Sequence, residues 1–145
     1  MQHVLEDLDA EAPPCPMVLL LHEGGSTPLH VDWLIARNPS GSGPLLTFRL
    51  PERLDTLATG DVMPAMRIQD HRPRYLRCDG PLGGGRGEIL RIARGRLRAR
   101  VPAQDDVRIE ITWMAGPASG RRQELSLVQE GDRGLQVHCR AWEPR

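Results

Sequence analysis

The sequence predicts a mostly β protein, a compact antiparallel β-barrel with one or two short helices. Three observations carry that expectation. Apolar and polar residues alternate in short runs. Gly, Pro, Asn and Ser punctuate those runs at regular intervals. No long stretch holds a helical period. About nine strand-like runs joined by turns suit a barrel or a sandwich.

The elements follow in chain order. Residues 1–16 are acidic and then Pro-rich, and read as a flexible lead-in; residues 17–145 read as one barrel domain. Residues 17–23 form a continuous apolar run, a buried strand. A Gly/Ser/Pro loop follows at 24–29. Residues 30–37 form a second strand, with Val31, Trp33 and Ile35 on one face and His30, Asp32, Leu34 and Ala36 on the other. Asn38 to Gly43 is a hairpin turn by composition, and 44–50 is the third strand. Residues 51–58 suit a short helix with Pro51 at its start. Short strands are expected at 67–70 and 75–78 around a loop holding His71. A Gly-rich loop spans 79–87. Strands follow at 88–93, 96–101 and 107–113, with turns at Arg94-Gly95 and at 104–106. A loop at 116–120 precedes a last hairpin, 124–129 and 135–140, about Gly131 to Gly134.

Composition narrows the function. All 19 basic residues are Arg, and they balance 19 acids. The distribution is uneven: residues 67–100 hold ten Arg against Asp70, Asp79 and Glu88. A basic stretch in a neutral chain points to a local anion site rather than a generally adhesive nucleic-acid binder. The three cysteines, Cys15, Cys78 and Cys139, form no CxxC pair, so neither a zinc ribbon nor a disulfide framework is indicated. Cys78 and Cys139 read as buried strand residues. The acidic start and the short apolar run at 17–21 fit neither a signal peptide nor a membrane span, so a soluble cytoplasmic protein without a membrane partner is expected.

The chemistry concentrates in His22-Glu-Gly-Gly-Ser-Thr-Pro-Leu-His30-Val-Asp32. His30 and Asp32 share a strand face, and the Gly24-Gly25 turn can return His22 to them. Two imidazoles and a carboxylate make a facial divalent-metal site. His71 is a fourth candidate. The segment Gly83-Gly84-Gly85-Arg86-Gly87 lacks the GK[ST] of a P-loop, but it can bring backbone N–H groups and Arg86 toward a phosphate.

In order, these motifs resemble the 3′-phosphoesterase domain of bacterial DNA ligase D, and its short stand-alone relatives in particular. The resemblance runs over residues 17–113. It rests on the His-terminated strand, His30-x-Asp32, "LLTFRLP", "DHRPRYLRCDG" and "GGRGEI". It implies a divalent-metal-dependent phosphoesterase, typically using manganese, that trims 3′-phosphate or 3′-ribonucleotide DNA ends in repair. The implied partners are DNA 3′-ends in primer-templates, and repair ligase or end-joining proteins. By the same resemblance His22, His30 and Asp32 hold the metal, His71 contacts the scissile phosphate and Tyr75 completes the pocket. The chain departs from the family pattern at Leu34 and Met63, where the family has Arg, and at Gln69, where it has an acid. Arg67, Arg72, Arg74 and Arg86 are possible substitutes. Two alternatives stand beside this reading. One is a catalytically weakened module that binds nucleic-acid ends or a repair partner. The other is a small facial-triad iron oxygenase built from His30, Asp32 and the distal His138.

Overall fold

A computed structural model describes residues 13–25, 28–99 and 106–143. Its strands are β1 (Cys15–Glu23), β2 (His30–Ile35), β3 (Leu45–Leu50), β4 (Val62–His71), β5 (Gly80–Pro81), β6 (Glu88–Ala99), β7 (Asp106–Ala115), β8 (Arg122–Glu130) and β9 (Gly134–Glu143). Every pairing is antiparallel, in the order β1-β2-β3-β4-β9-β8-β7-β6, and β1 pairs with β6 to close the barrel. Closure leaves no unpaired sheet edge among these eight strands. The short β5 adds outside, against β6.

Side chains alternate between two apolar clusters. Leu19, Trp33, Phe48, Ile111, Trp113, Leu127 and Val137 fill the barrel. Val18, Leu20, Leu34, Leu45, Leu76 and Ile89 form a second cluster on its outer wall. That explains why β1 and β2 are apolar on both faces, which a strand with one solvated face is not. The outer cluster is roofed by residues 72–87, which carry the 3-10 turn Pro73–Leu76 and the Gly-rich loop. Arg91 ties this roof to β6: its guanidinium donates to the Leu76 carbonyl at 3.3 Å and to the Asp79 carboxylate at 2.8 Å.

The other 3-10 turn, Leu54–Thr56, plugs one end of the barrel. The buried Asp55 carboxylate accepts from Arg53 at 2.7 and 3.0 Å. Gln123 donates to the Leu54 carbonyl and accepts from the Trp113 indole, so the buried amide is satisfied on both sides.

Several expectations are corrected here. The short helices are only these two 3-10 turns; among the described residues there is no α-helix. Residues 75–78 are not a strand, because Pro73 sets a helical turn that runs through Leu76. Arg94-Gly95 is not a turn either: β6 runs through it, and the irregularity there is a bulge in β7, where Met114 is the extra residue. The strand expected at 67–70 is the end of a ten-residue strand. Cys15 and Pro16 belong to β1 rather than to a lead-in, and residues 1–12 and 104–105 lie outside the described residues. Cys139 is buried as expected, but Cys78 is exposed beside the roof. No helix among the described residues is long and apolar enough to cross a membrane.

Candidate metal centre

The site lies on the outer wall of the barrel, under the roof. His22 and His30 end β1 and β2 and sit directly opposite each other in the ladder. Asp32 follows two residues on, on the same face. His30 and Asp32 are 8 % and 4 % exposed, so this is a buried carboxylate beside a buried imidazole. His22 Nδ1 is 3.2 Å from His30 Nε2, and His30 Nε2 is 3.5 Å from the Asp32 carboxylate.

His71 reaches the same point by a different device. Early in β4 the odd residues Met63 and Ala65 face the barrel interior. An unbroken strand would keep His71 on that inner side. Instead the register slips: Ile68 stands opposite Thr47, but His71 stands opposite Leu45. The extra residue in β4 reverses the parity, which is how a bulge re-aims a side chain. His71 Nε2 then lies 3.7 Å from the Asp32 carboxylate.

The outer nitrogens fix the tautomers. A carbonyl oxygen only accepts, so each ring nitrogen facing one must carry the proton. His22 Nε2 donates to the Arg86 carbonyl at 2.8 Å, His30 Nδ1 to Pro28 at 2.8 Å and His71 Nδ1 to Gln69 at 3.1 Å. In the neutral rings, His22 Nδ1 and His30 Nε2 therefore present lone pairs to each other. Two lone pairs and a carboxylate converging at this range are reconciled by a positive charge, either a proton on one ring or a bound metal ion. Anchoring each ligand imidazole through its far N–H is the usual outer-shell arrangement of metal sites.

The spacing fits one ion. Donors about 2.1 Å from a shared ion stand about 3.0 Å apart at a right angle and about 3.4 Å at the tetrahedral angle. The 3.2 Å separation falls in that range and the 3.5 Å separation just above it, and the three donor atoms all lie within 4.8 Å of one another. His22, His30 and Asp32 can thus hold a divalent ion with open positions.

The Gly-rich loop serves this arrangement through its backbone. A Cβ on Gly87 would collide with the Glu23 carbonyl, and one on Gly25 would stand 2.7 Å from the Arg86 carbonyl. Only glycines let the two turns approach closely enough for the Arg86 carbonyl to reach His22. The Arg86 guanidinium itself donates to the Leu82 and Gly83 carbonyls of its own loop.

Around these residues is a cleft of about 320 Å³ lined by His22, Asp32, His71, Arg72, Tyr75 and Arg86, among others. Tyr75 stacks edge-on against His71 at 5.9 Å. Burial is the largest influence on Asp32 and pushes its carboxyl up. The His71 hydrogen bond and the charges of His30, Arg49 and His71 outweigh it, and the carboxyl ends below its ordinary value. Burial likewise pulls His71 down, but the bonds to Asp32 and Gln69 raise it overall.

The other expected residues are placed as follows. Arg67 is salt-bridged to Asp70 at 3.5 Å, and Arg74 stands over the Tyr75 ring. His138 lies on β9 opposite Val62 and Ser126, three strands from β2. That is roughly 14 Å around the wall, too far to share an ion with His30 and Asp32. Leu34 is fully buried in the outer cluster. One residue was missed: Arg49, directly opposite Asp32 on β3, with Nε 3.5 Å from its carboxylate. The signal was present, since a hairpin centred on residues 40 and 41 pairs 32 with 49. Neither a scan of protein-family models nor a search of curated proteins returns a match to this chain.

Proposed function

We infer that this protein is a divalent-metal-dependent phosphoesterase-like domain that processes 3′-phosphate or 3′-ribonucleotide ends of DNA, with manganese as the favoured ion. The observation that carries the metal is the pair of lone-pair nitrogens, His22 Nδ1 and His30 Nε2, facing each other beside a buried carboxylate. The phosphoester substrate is supported by Arg72 in the lining of the cleft and by the motif order over residues 17–113.

A bound divalent ion supplies a Lewis acid for a phosphoryl oxygen and a water of lowered pKa. The chain supplies the rest. His22, His30 and Asp32 hold the ion. His71, with Nδ1 committed to Gln69, carries a proton on Nε2 only as imidazolium, the form that Asp32 favours. In this reading that proton passes to the leaving oxygen. Tyr75 packs the imidazole in place, and Arg72 lines the cleft where phosphate charge would lie.

A weakened binding module is the second reading. The tying of the Arg86 guanidinium to loop carbonyls favours it. One assay separates the two. Wild type and His30→Ala are incubated with manganese and primer-templates ending in a 3′-phosphate or one ribonucleotide. Trimming by wild type alone supports the enzyme; retention of the ends without trimming at any manganese concentration supports the module.

A further inference from the structure

Several arginines on the barrel surface are neutralised. Arg37 and Arg67 reach Asp70, Arg91 reaches Asp79, Arg108 reaches Glu124, and Arg122 reaches Glu110 and Glu143. Arg77, Arg94 and Arg96 are distinguished by where they stand together. Among the described residues none of the three has a carboxylate partner, and all three line one groove of about 230 Å³. Arg94 and Arg96 are alternate residues of β6, opposite Val18 and Pro16 of β1. They project from one face about 6.6 Å apart. Val18, Leu76 and the half-exposed Met114 give the groove apolar surface. Three unpaired like charges around an apolar floor repel one another unless an anion lies between them.

The groove adjoins the metal centre. The turn Pro73–Leu76 is the ridge between them: Tyr75 lines the cleft, while Leu76 and Arg77 line the groove. Along β1, Val18 in the groove and His22 in the cleft are four residues apart, about 13 Å.

We propose that this groove binds the phosphodiester backbone of a single nucleic-acid strand, a few nucleotides back from the end that enters the cleft. The inference rests on the phosphoesterase reading for its direction, but the binding site is separate. Guanidinium forks pair with phosphates bidentately, and an apolar floor receives sugars and base faces. The recessed floor suits a strand that can enter it, whereas a flat lipid surface would meet only the projecting side chains.

The test is fluorescence anisotropy in metal-free buffer. The probe is a labelled DNA strand of about 12 nucleotides with a 3′-hydroxyl, so that it makes no demand on the cleft. Wild type, Arg94→Gln/Arg96→Gln and Arg108→Gln are titrated across a salt series. In the double variant the slope of log affinity against log salt should be shallower by about 1.4, from about 0.7 per lost phosphate contact, with affinity down at least about fivefold at low salt. Arg108→Gln should match wild type. Equal slopes and affinities in wild type and the double variant overturn the proposal. So does wild-type binding to phosphatidylserine vesicles without binding to the DNA. The two readings fail separately. DNA binding lost only in the double variant, with no end processing by any form, leaves the groove standing and removes the phosphoesterase. Processing with unaltered DNA binding in the double variant does the reverse.

Discussion

Adding manganese should raise the melting temperature of the wild type and leave His30→Ala unmoved. The magnitude follows from linkage. An ion at 100 times its dissociation constant stabilises the folded state by about 2.7 kcal/mol. Unfolding entropy near the midpoint is about 2.1 cal/mol/K per residue, or about 0.3 kcal/mol/K for a chain of this length. The expected rise is therefore about 9 °C. Removing His30 takes away the donor that faces both His22 Nδ1 and the Asp32 carboxylate, at 3.2 and 3.5 Å. His71, 3.7 Å from Asp32, stands outside the group of three whose donor atoms all lie within 4.8 Å of one another. Because protons compete with the ion for its ligands, the wild-type rise should also shrink as pH falls. The assay is differential scanning calorimetry of metal-stripped protein with and without manganese. Magnesium serves as comparison, since imidazole ligands favour the transition metal. A similar rise in wild type and His30→Ala would refute the assigned donors. No rise in wild type at millimolar manganese would refute the metal centre itself.

Other expectations concern the scaffold around the site. Arg53→Met should cost about 3–5 kcal/mol in urea unfolding, because it strands the fully buried Asp55 carboxylate; Asp55→Asn should cost less, since the Arg53 side chain is 30 % exposed and can rehydrate. Either variant should keep the manganese response, and losing it would show that the plug and the site are coupled. Gly87→Ala should destabilise by about 1–3 kcal/mol, as its φ of +90° and the Glu23 carbonyl both resist a Cβ. It should also weaken metal affinity by pulling the Arg86 carbonyl from His22, and unchanged affinity by calorimetric titration would show that this anchor is dispensable. In metal-free protein the Asp32–His71 pair sets two pH limits. Asp32 is lowered on folding, so its contribution is present above about pH 3.9 and fades as pH falls through its folded value. His71 is raised, so its contribution is full below about pH 6.5 and fades as pH rises through its folded value. Urea midpoints should therefore decline from pH 6 to 8.5 more steeply in wild type than in His71→Gln; parallel profiles would show that the contact is not formed in solution.

Much of this architecture is written locally in the chain. Alternation along residues 30–37 puts His30 and Asp32 on one face whatever the rest of the molecule does, because successive side chains on a strand point to opposite sides. The Asn38–Gly43 turn fixes the β2–β3 register, and with it the pairing of Asp32 with Arg49. Trp33 and Trp113 belong to the interior as their runs imply.

Other features belong to the closed sheet alone. His71 faces Asp32 only because β4 carries one extra residue against β3, and one inserted residue reverses every side chain beyond it. A period-two pattern has no way to announce that slip. The Arg86 carbonyl meets His22, 64 positions away in the chain, because β1 pairs with β6 and brings two glycine turns together. The arginines looked alike in sequence, yet tertiary packing gives Arg91 an acid and leaves Arg77, Arg94 and Arg96 around an open groove. Local geometry decides which way a side chain points, whereas its partners are decided by contacts that form only when distant strands share one wall.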